Sequence, residues 1–393
     1  MTACIYTDDI FHQASEVCLK TGGFEKIFPS DVLSKRERVE LALNHQPVDR
    51  VPLHEQLSYN AGVIELYTGK KFSGFDYTIE DIGETVRKTM DMHFPLFAPK
   101  GTGTEIDSDG FTIKHDNWTS WYVGHPFSDV EGACRWLKGK TGKIERAIST
   151  FDTDRARYDY RDKFLDMQAR MGETVLFEWS FTGFCDVFNL MGLELYSYFT
   201  LDYPEVLDEF MEASTELELL RIHAVADRNL SPLILIPEDF ATRQGPIFSP
   251  AFLGRHHYPY VKKLTQAWHT HDIKVIYHSD GNYKKAIPDL MECGVDGFYC
   301  LEPNCGMDIV ELKNARPEMV WAGGVDGVDL MELGEPEDVR SEVHRHILET
   351  NALETGGMFV ATSSEINPSV KPENFRAMVD AVGALRNDHF NRD

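Results

Sequence analysis

The chain has 393 residues, with 39 basic against 64 acidic side chains, a formal charge of −25. Such an acidic surplus argues against a phosphate-backbone partner and against an anionic membrane surface, so neither nucleic acid nor membrane is an expected partner. No apolar run approaches the ~20 residues that span a bilayer, and the opening MTACIYTDDIFHQ lacks a basic start and an apolar core, so the expected location is the cytoplasm. The seven cysteines, Cys4, Cys18, Cys134, Cys185, Cys293, Cys300 and Cys305, are odd in number and scattered. With no C-x-x-C pair among them, neither a disulfide framework nor a zinc knuckle is expected.

Residues 1–33 read as an N-terminal helical arm, and residues 34–393 as one catalytic domain. Ser34 caps a helix over SKRERVELALNHQ, with Glu37 at the capping-box position and apolar residues behind it. The helix must stop before Pro47, and RVPLHEQ reads as a first strand. A mostly helical stretch, 59–92, leads to a second strand, HFPLFAP. Two alternating segments in GTEIDSDGFTIKHD, around Ser108, Asp109 and Gly110, predict a β-hairpin inserted on the body of the domain. The aromatics that follow, Trp118, Trp121, Tyr122 and Phe127, are read as packing or as a rim. A helix from about Arg155 to Met171 precedes strand three, TVLFEWS. FTGFCDVFNLMGLELYSYF is apolar at nearly every position and reads as a buried or pocket-lining helix; another follows from Pro204 to Asn229. Strand four is SPLILIPEDF, and a helix from Pro250 to His271 separates it from strand five, Lys274 to Tyr277. Strand six runs from Asp296 to Leu301, strand seven is EMVWAGG, and strand eight is GGMFVATSSE after a helix starting at Pro336. Eight short apolar runs alternating with helices predict an α/β fold, a (β/α)8 TIM barrel.

In such a barrel, chemistry is built at the carboxyl ends of the strands. Here those ends carry Glu55, Glu178, Glu238, Asp239, His278, Asp280, Glu302, Asp326 and Glu365. Several carboxylates and one histidine aimed into one mouth repel each other unless some are protonated, paired or bound to a cation. Imidazole with oxygen ligands suits zinc. His278 and Asp280, two apart, share a face if the strand runs through Asp280, and alternation allows only one of Glu238 and Asp239 to face the site. The expected catalytic and metal-binding residues are Glu238, His278, Asp280 and Glu302. Glu55, Tyr59, Glu178, Phe181, Asp239, Asp326 and Glu365 are the expected substrate-binding group, and Trp179, Phe184 and Phe240 are further aromatics that could line a pocket. The chain has no Walker loop, dinucleotide G-x-G-x-x-G, H-E-x-x-H or G-x-S-x-G, so nucleotide-binding, metalloprotease and hydrolase readings lose their usual support.

Taken together, SKRERVELALNHQPVDRVPL, HSDGN, GVDGFYCLEP, WAGGVD and GGMFVATSSEINPSVKPENF resemble the uroporphyrinogen decarboxylase superfamily, from about Ser34 to Val382. The resemblance implies a TIM barrel. The decarboxylases of that superfamily carry an arginine-rich loop after the first strand for a polyacidic tetrapyrrole, where this chain reads PLHEQLSYNAG, with Glu55 and no arginine. A second branch is similar to cobamide-dependent methyltransferases, including those of O-demethylase systems. Thiol-activating members use an H-x-C pair and a later cysteine as zinc ligands; here His278 matches the histidine, Asp280 replaces the first cysteine, and Ser364 or Glu365 lies near the place of the second. The resemblance thus implies transfer of a methyl group from a methoxylated, aromatic small molecule to cob(I)alamin carried by a partner corrinoid protein, with zinc or an acid assisting the leaving oxygen. The alternatives are a cofactor-free decarboxylase and a non-catalytic small-molecule-binding barrel.

Overall fold

The computed structural model describes residues 24–390. Eight parallel strands form the wall of a barrel: β1 (His54–Glu55), β2 (Met92–His93), β3 (Val175–Leu176), β4 (Leu233–Pro237), β5 (Lys274–His278), β6 (Gly297–Tyr299), β7 (Val320–Val325) and β8 (Met358–Thr362). β1 to β3 pair in order, as do β4 to β8. Bridges between Trp179 and Leu235 and between Leu53 and Val360 close the two gaps. Seven strands lie where the apolar runs of the sequence put them, while the second, read as HFPLFAP, ends at His93 and leaves residues 94–99 to the mouth; the fold is the expected (β/α)8 barrel.

Alternation divides each strand between two cores. Met92, Phe94, Val175, Phe177, Leu233, Leu235, Ile276, Tyr299, Val320, Ala322 and Phe359 fill the barrel interior. Ile234, Ile236, Val275, Tyr277, Phe298, Trp321 and Val360 point the other way, into the larger core beneath the helices. With both faces apolar, the strands read as continuous hydrophobic runs. The helix Lys35–Leu43, capped by Ser34 with the reciprocal Glu37 bond, lays Val39, Ala42 and Leu43 against the interior cluster and so plugs its amino-terminal end.

Around that plug lies an ionic network sealed from water. Arg38 binds both oxygens of Asp49 at 2.7 Å and Asp91 at 2.8 Å. Arg50 binds Asp31 at 2.9 and 3.1 Å and Asp91 at 2.6 and 2.9 Å, and Arg386 reaches Asp31 at 2.7 Å. Of the expected N-terminal arm, residues 1–23 lie outside the described residues. Residues after them pack on the body: Phe28 sits 5.1 Å from both the Arg50 and Arg386 guanidinium groups.

The structure corrects several expectations. The insertion is a sheet of three strands rather than a hairpin: Thr102–Ile106, Thr112–Asp116 and Thr119–Gly124. Asn117, at φ 35°, makes the second reversal, a left-handed conformation that asparagine tolerates better than most residues. Trp121 and Tyr122 lie half-exposed on the third strand, while Phe127 packs on Phe111 and Trp136. A helix over Val130–Ser149, unanticipated from the sequence, follows. The apolar helix expected after β3 is two, Phe184–Met191 and Leu193–Asp202, interrupted at Gly192. No described helix is long and apolar enough to cross a membrane.

Replacing Asp91 by Ala strands two buried guanidinium groups and is expected to cost about 3–5 kcal/mol, read by denaturant unfolding. Burial alone would raise the Asp31 and Asp91 carboxyls, but their arginine partners outweigh it and hold both below the usual range. The stabilisation they contribute is therefore present above the ordinary carboxylate pKa and is lost as pH falls through the depressed values, so acid unfolding of Asp91→Ala should show a smaller pH dependence than that of the parent protein.

Candidate active site

The face that β4 and β5 turn inward decides which acids meet. On β4, Leu233 and Leu235 point inward, and the same two-residue step delivers Asp239 to the mouth. On β5, Ile276 points inward and the step delivers His278 and then Asp280, although the strand itself ends at His278. His278 Nε2 lies 3.3 Å from Asp239 Oδ1 and 3.8 Å from Asp280 Oδ1, and the Asp280 backbone N–H donates to Asp239 Oδ1 at 3.1 Å. From the end of β6 come Cys300 and Glu302. The Cys300 thiol donates to Ser363 O at 3.0 Å and approaches Asp280 Oδ1 at 3.5 Å. Glu302 Oε2 accepts from Gly281 N–H at 3.0 Å and from the Cys305 thiol at 2.9 Å.

The result is two triads, Asp239–His278–Asp280 and Asp280–Cys300–Glu302, each with its donor atoms within 4.8 Å of one another and sharing Asp280. Burial opposes a charge on His278, but the Asp239 hydrogen bond and the charges of Asp239, Asp280 and Glu302 prevail and raise its pKa. Partial burial, with the charges of Asp239 and Glu302, raises the Asp280 carboxyl against the pull of His278. Three carboxylates, an imidazole and a thiol gathered at one strand-end rim form a donor set that fits a zinc-type cation.

Several expected site residues are placed elsewhere. Glu238, on the outward face of β4, accepts hydrogen bonds from Thr182 Oγ1, from Thr182 N–H at 3.2 Å and from Cys185 N–H at 2.9 Å. It thereby serves the first turn of the helix Phe184–Met191. Glu178, outward on β3, lies among Tyr160 and Arg221 of the surrounding helices. Glu55 is fully buried at the β1–β8 seam, where it accepts from Thr362 N–H and from Thr362 Oγ1 at 2.9 Å. Asp326 Oδ1 caps the π-helical turn Gly327–Glu332 through Val328 N–H at 2.9 Å and Asp329 N–H at 2.6 Å. Phe181 is 45% exposed. Phe184 and Phe240 pack against His257 in the outer core.

At the same carboxyl-end mouth of the barrel a cavity of about 290 Å³ opens, lined by Gln56, Ser58, Tyr59, His93, Phe94, Pro95, Phe97, Trp179 and Glu365. Tyr59 and Glu365, both in the expected substrate-binding group, line this cavity. Trp179 stacks on Phe94 (5.3 Å, 20°) and on Phe97 (5.8 Å, 24°). No lysine or arginine lines the cavity. Tyr299 joins cavity to triads, with its ring 5.2 Å from that of His278 and its hydroxyl 3.4 Å from Gln56 Nε2. Sequence reasoning did not pick out Phe94, Phe97 or Cys300. The inward period of β2 would have pointed to Phe94, whereas nothing local marks Cys300.

Residues 184–385, slightly over half of the chain, match the uroporphyrinogen decarboxylase (URO-D) family. The chain belongs to that family. Among solved structures, a methyltransferase from Methanosarcina mazei is similar to this URO-D member with a TM-score of 0.59 at 17% identity, over 91% of this chain and 99% of the other. At that identity the likeness speaks for the barrel fold. A sugar phosphate isomerase/epimerase from Parabacteroides distasonis reaches a TM-score of 0.28 at 12% identity, over 59% of this chain and 77% of the other, and carries no argument. No curated protein sequence matches the chain.

Glu55 offers a test of the seam assignment. Burial pushes its carboxyl from 4.5 up to about 8, against the opposing hydrogen bonds from Thr362. A raised folded-state pKa means that its contribution to stability is full below the unfolded value and is lost as pH rises towards the folded one. Across that window the parent protein should lose stability relative to Glu55→Gln by about 1.4 kcal/mol per pH unit, measured by urea unfolding.

Proposed function

We propose that this URO-D family member is a methyltransferase that moves a methyl group from a methoxylated aromatic small molecule to the Co(I) corrinoid of a partner protein. The observation that carries the reading is an aromatic-walled cavity, free of lysine and arginine, at the same strand-end mouth as a cation-ready rim of Asp239, His278 and Asp280. A polyacidic tetrapyrrole needs cations to dock, and the cavity lining offers Glu365 in their place. An uncharged aryl ether fits the same lining by stacking on Trp179, Phe97 and Tyr59.

Cleaving an aryl methyl ether leaves an aryl oxide of tyrosinate-like basicity, pKa about 10, so the departing oxygen needs assistance. Zinc held by Asp239, His278 and Asp280 would supply a Lewis acid for that oxygen. The partner's corrinoid would supply the two-electron cobalt nucleophile that takes the methyl group. The protein's own residues do the rest. The aromatic walls orient the ring so that its methoxy oxygen faces the rim and its methyl group faces open solvent, where a partner can approach. Asp239 fixes His278 through the 3.3 Å contact. As the methyl–oxygen bond breaks, the methyl group leaves towards the partner, the oxygen keeps the electron pair, and the released phenol takes its proton from solvent.

The purified protein, given cob(I)alamin and a phenyl methyl ether such as guaiacol, should form methylcobalamin and an equal amount of the demethylated phenol. Neither product, or carbon dioxide release from an acidic substrate instead, overturns the proposal. Trp179→Ala should raise KM with little change in kcat. His278→Ala should lower kcat by about 100-fold or more, in the range that an assisting group contributes.

A further inference from the structure

Glu365 stands three residues beyond β8, where the Ile366 N–H donates to Gln56 O at 3.0 Å and so pins the end of β8 across the seam to the segment that follows β1. The carboxylate is thereby held in the aromatic half of the mouth, on the cavity lined by Tyr59, Phe94, Phe97 and Trp179. It belongs to neither metal-ready triad. Among the described residues no arginine, lysine or histidine pairs with it, and its side-chain partner is the Ser364 hydroxyl at 3.2 Å. The other titratable groups of the lining add no positive charge. His93 accepts from Leu57 N–H through Nε2 at 2.9 Å and donates from Nδ1 to Phe94 O at 2.6 Å; burial pushes its pKa down to about 4, so the ring is neutral near neutral pH. Tyr59 keeps its proton, because burial and then the Glu365 charge raise its pKa.

A carboxylate without a counter-ion and the negative faces of aromatic rings ask for the same guest. An ammonium group is attracted to both: it donates a charge-assisted hydrogen bond to the one and is drawn to the quadrupole of the other, most strongly to that of tryptophan. We propose that the aryl ether this cavity takes bears a protonated amine on its ring, and that Glu365 determines that specificity by pairing with the ammonium and turning away ethers that carry a carboxylate. An anionic substituent would set two like charges side by side in a partly dry cavity. The net charge of −25 acts in the same direction, drawing cations towards the protein.

The inference rests on the methyl-transfer reading for the ether, but its test reads binding alone, with no corrinoid. Three ligands share one methoxyphenol ring: 3-methoxytyramine carries an ammonium, 4-ethylguaiacol no charge and homovanillate a carboxylate. Because the methoxy and phenol groups are common to all three, differences in affinity report on the charged substituent. By titration calorimetry on the full-length protein near neutral pH, 3-methoxytyramine should bind about 10- to 100-fold more tightly than 4-ethylguaiacol, and homovanillate more weakly than either. Glu365→Gln should bring the first two together and strengthen homovanillate, whereas Glu365→Asp should keep the parent order. A parent order that does not put the ammonium first, no binding of any of the three, or an ammonium preference that survives in Glu365→Gln overturns the assignment. Should Glu365→Gln fail to fold by circular dichroism, salt decides on the parent protein: an ammonium preference that shrinks as ionic strength rises supports pairing with a carboxylate, and one that does not change overturns it. Ammonium selectivity without methyl transfer from any of the three would sink the functional reading alone; methyl transfer to cob(I)alamin without that selectivity would sink this inference alone.

Discussion

Three aspartates and two arginines buried at the amino-terminal end of the barrel, with the partly exposed Arg386 at their edge, are the constraint on which the rest of the structure depends. β1, β2 and β3 are each two residues long, and ladders that short contribute little pairing of their own. Their alignment is set from below. Asp91, one residue before β2, takes both Arg38 and Arg50, and its Oδ2 also accepts the Leu53 backbone N–H beside β1 at 2.8 Å. Asp31 and Arg386 bring segments from the two ends of the described chain to the same knot. Such a network is not a large net source of stability, because five charges had to leave water; its geometry leaves little freedom in register, and breaking one member strands the others.

That register reaches the opposite end of the barrel. The cavity is built from the residues that follow these short strands: Gln56, Ser58 and Tyr59 after β1, Phe94 to Phe97 after β2, and Trp179 after β3. The longer strands β4 and β5, tied along five paired positions, carry the acids and the histidine. The barrel thus has an aromatic half held by ions at its base and a polar half held by backbone ladders. Tyr299, on β6, links them at the rim.

Much of the architecture was legible in the sequence, because a strand buried on both faces leaves a compact apolar run and a capped helix leaves a polar signature. Ser34 with Glu37, the eight apolar runs and the polar residues at their ends could all be read directly. The insertion was legible only as far as its first turn, since Ser108-Asp109-Gly110 is a strong reversal signal and Asp116-Asn117 a weak one. His278 and Asp280 come together because the two-residue alternation of β5 carries on just past its last residue, His278. Glu238, Glu178 and Glu55 were misplaced for one common reason: each is next to the residue that faces inward, and a strand flanked by Ile, Leu and Val on both sides does not say which face is inside.

The sequence by itself therefore determined that eight strands alternate with helices, roughly where they lie, and which acids and imidazole stand near their ends, since these follow from local periodicity and capping. Only the tertiary structure decided the rest. Closure of the barrel chose Asp239 over Glu238, turned Trp179 and Phe94 towards the cavity, and carried Cys300 across from β6 to Asp280. These are relations between strands distant in sequence, fixed by how the wall curves and which face it shows to the interior, and no local pattern encodes them.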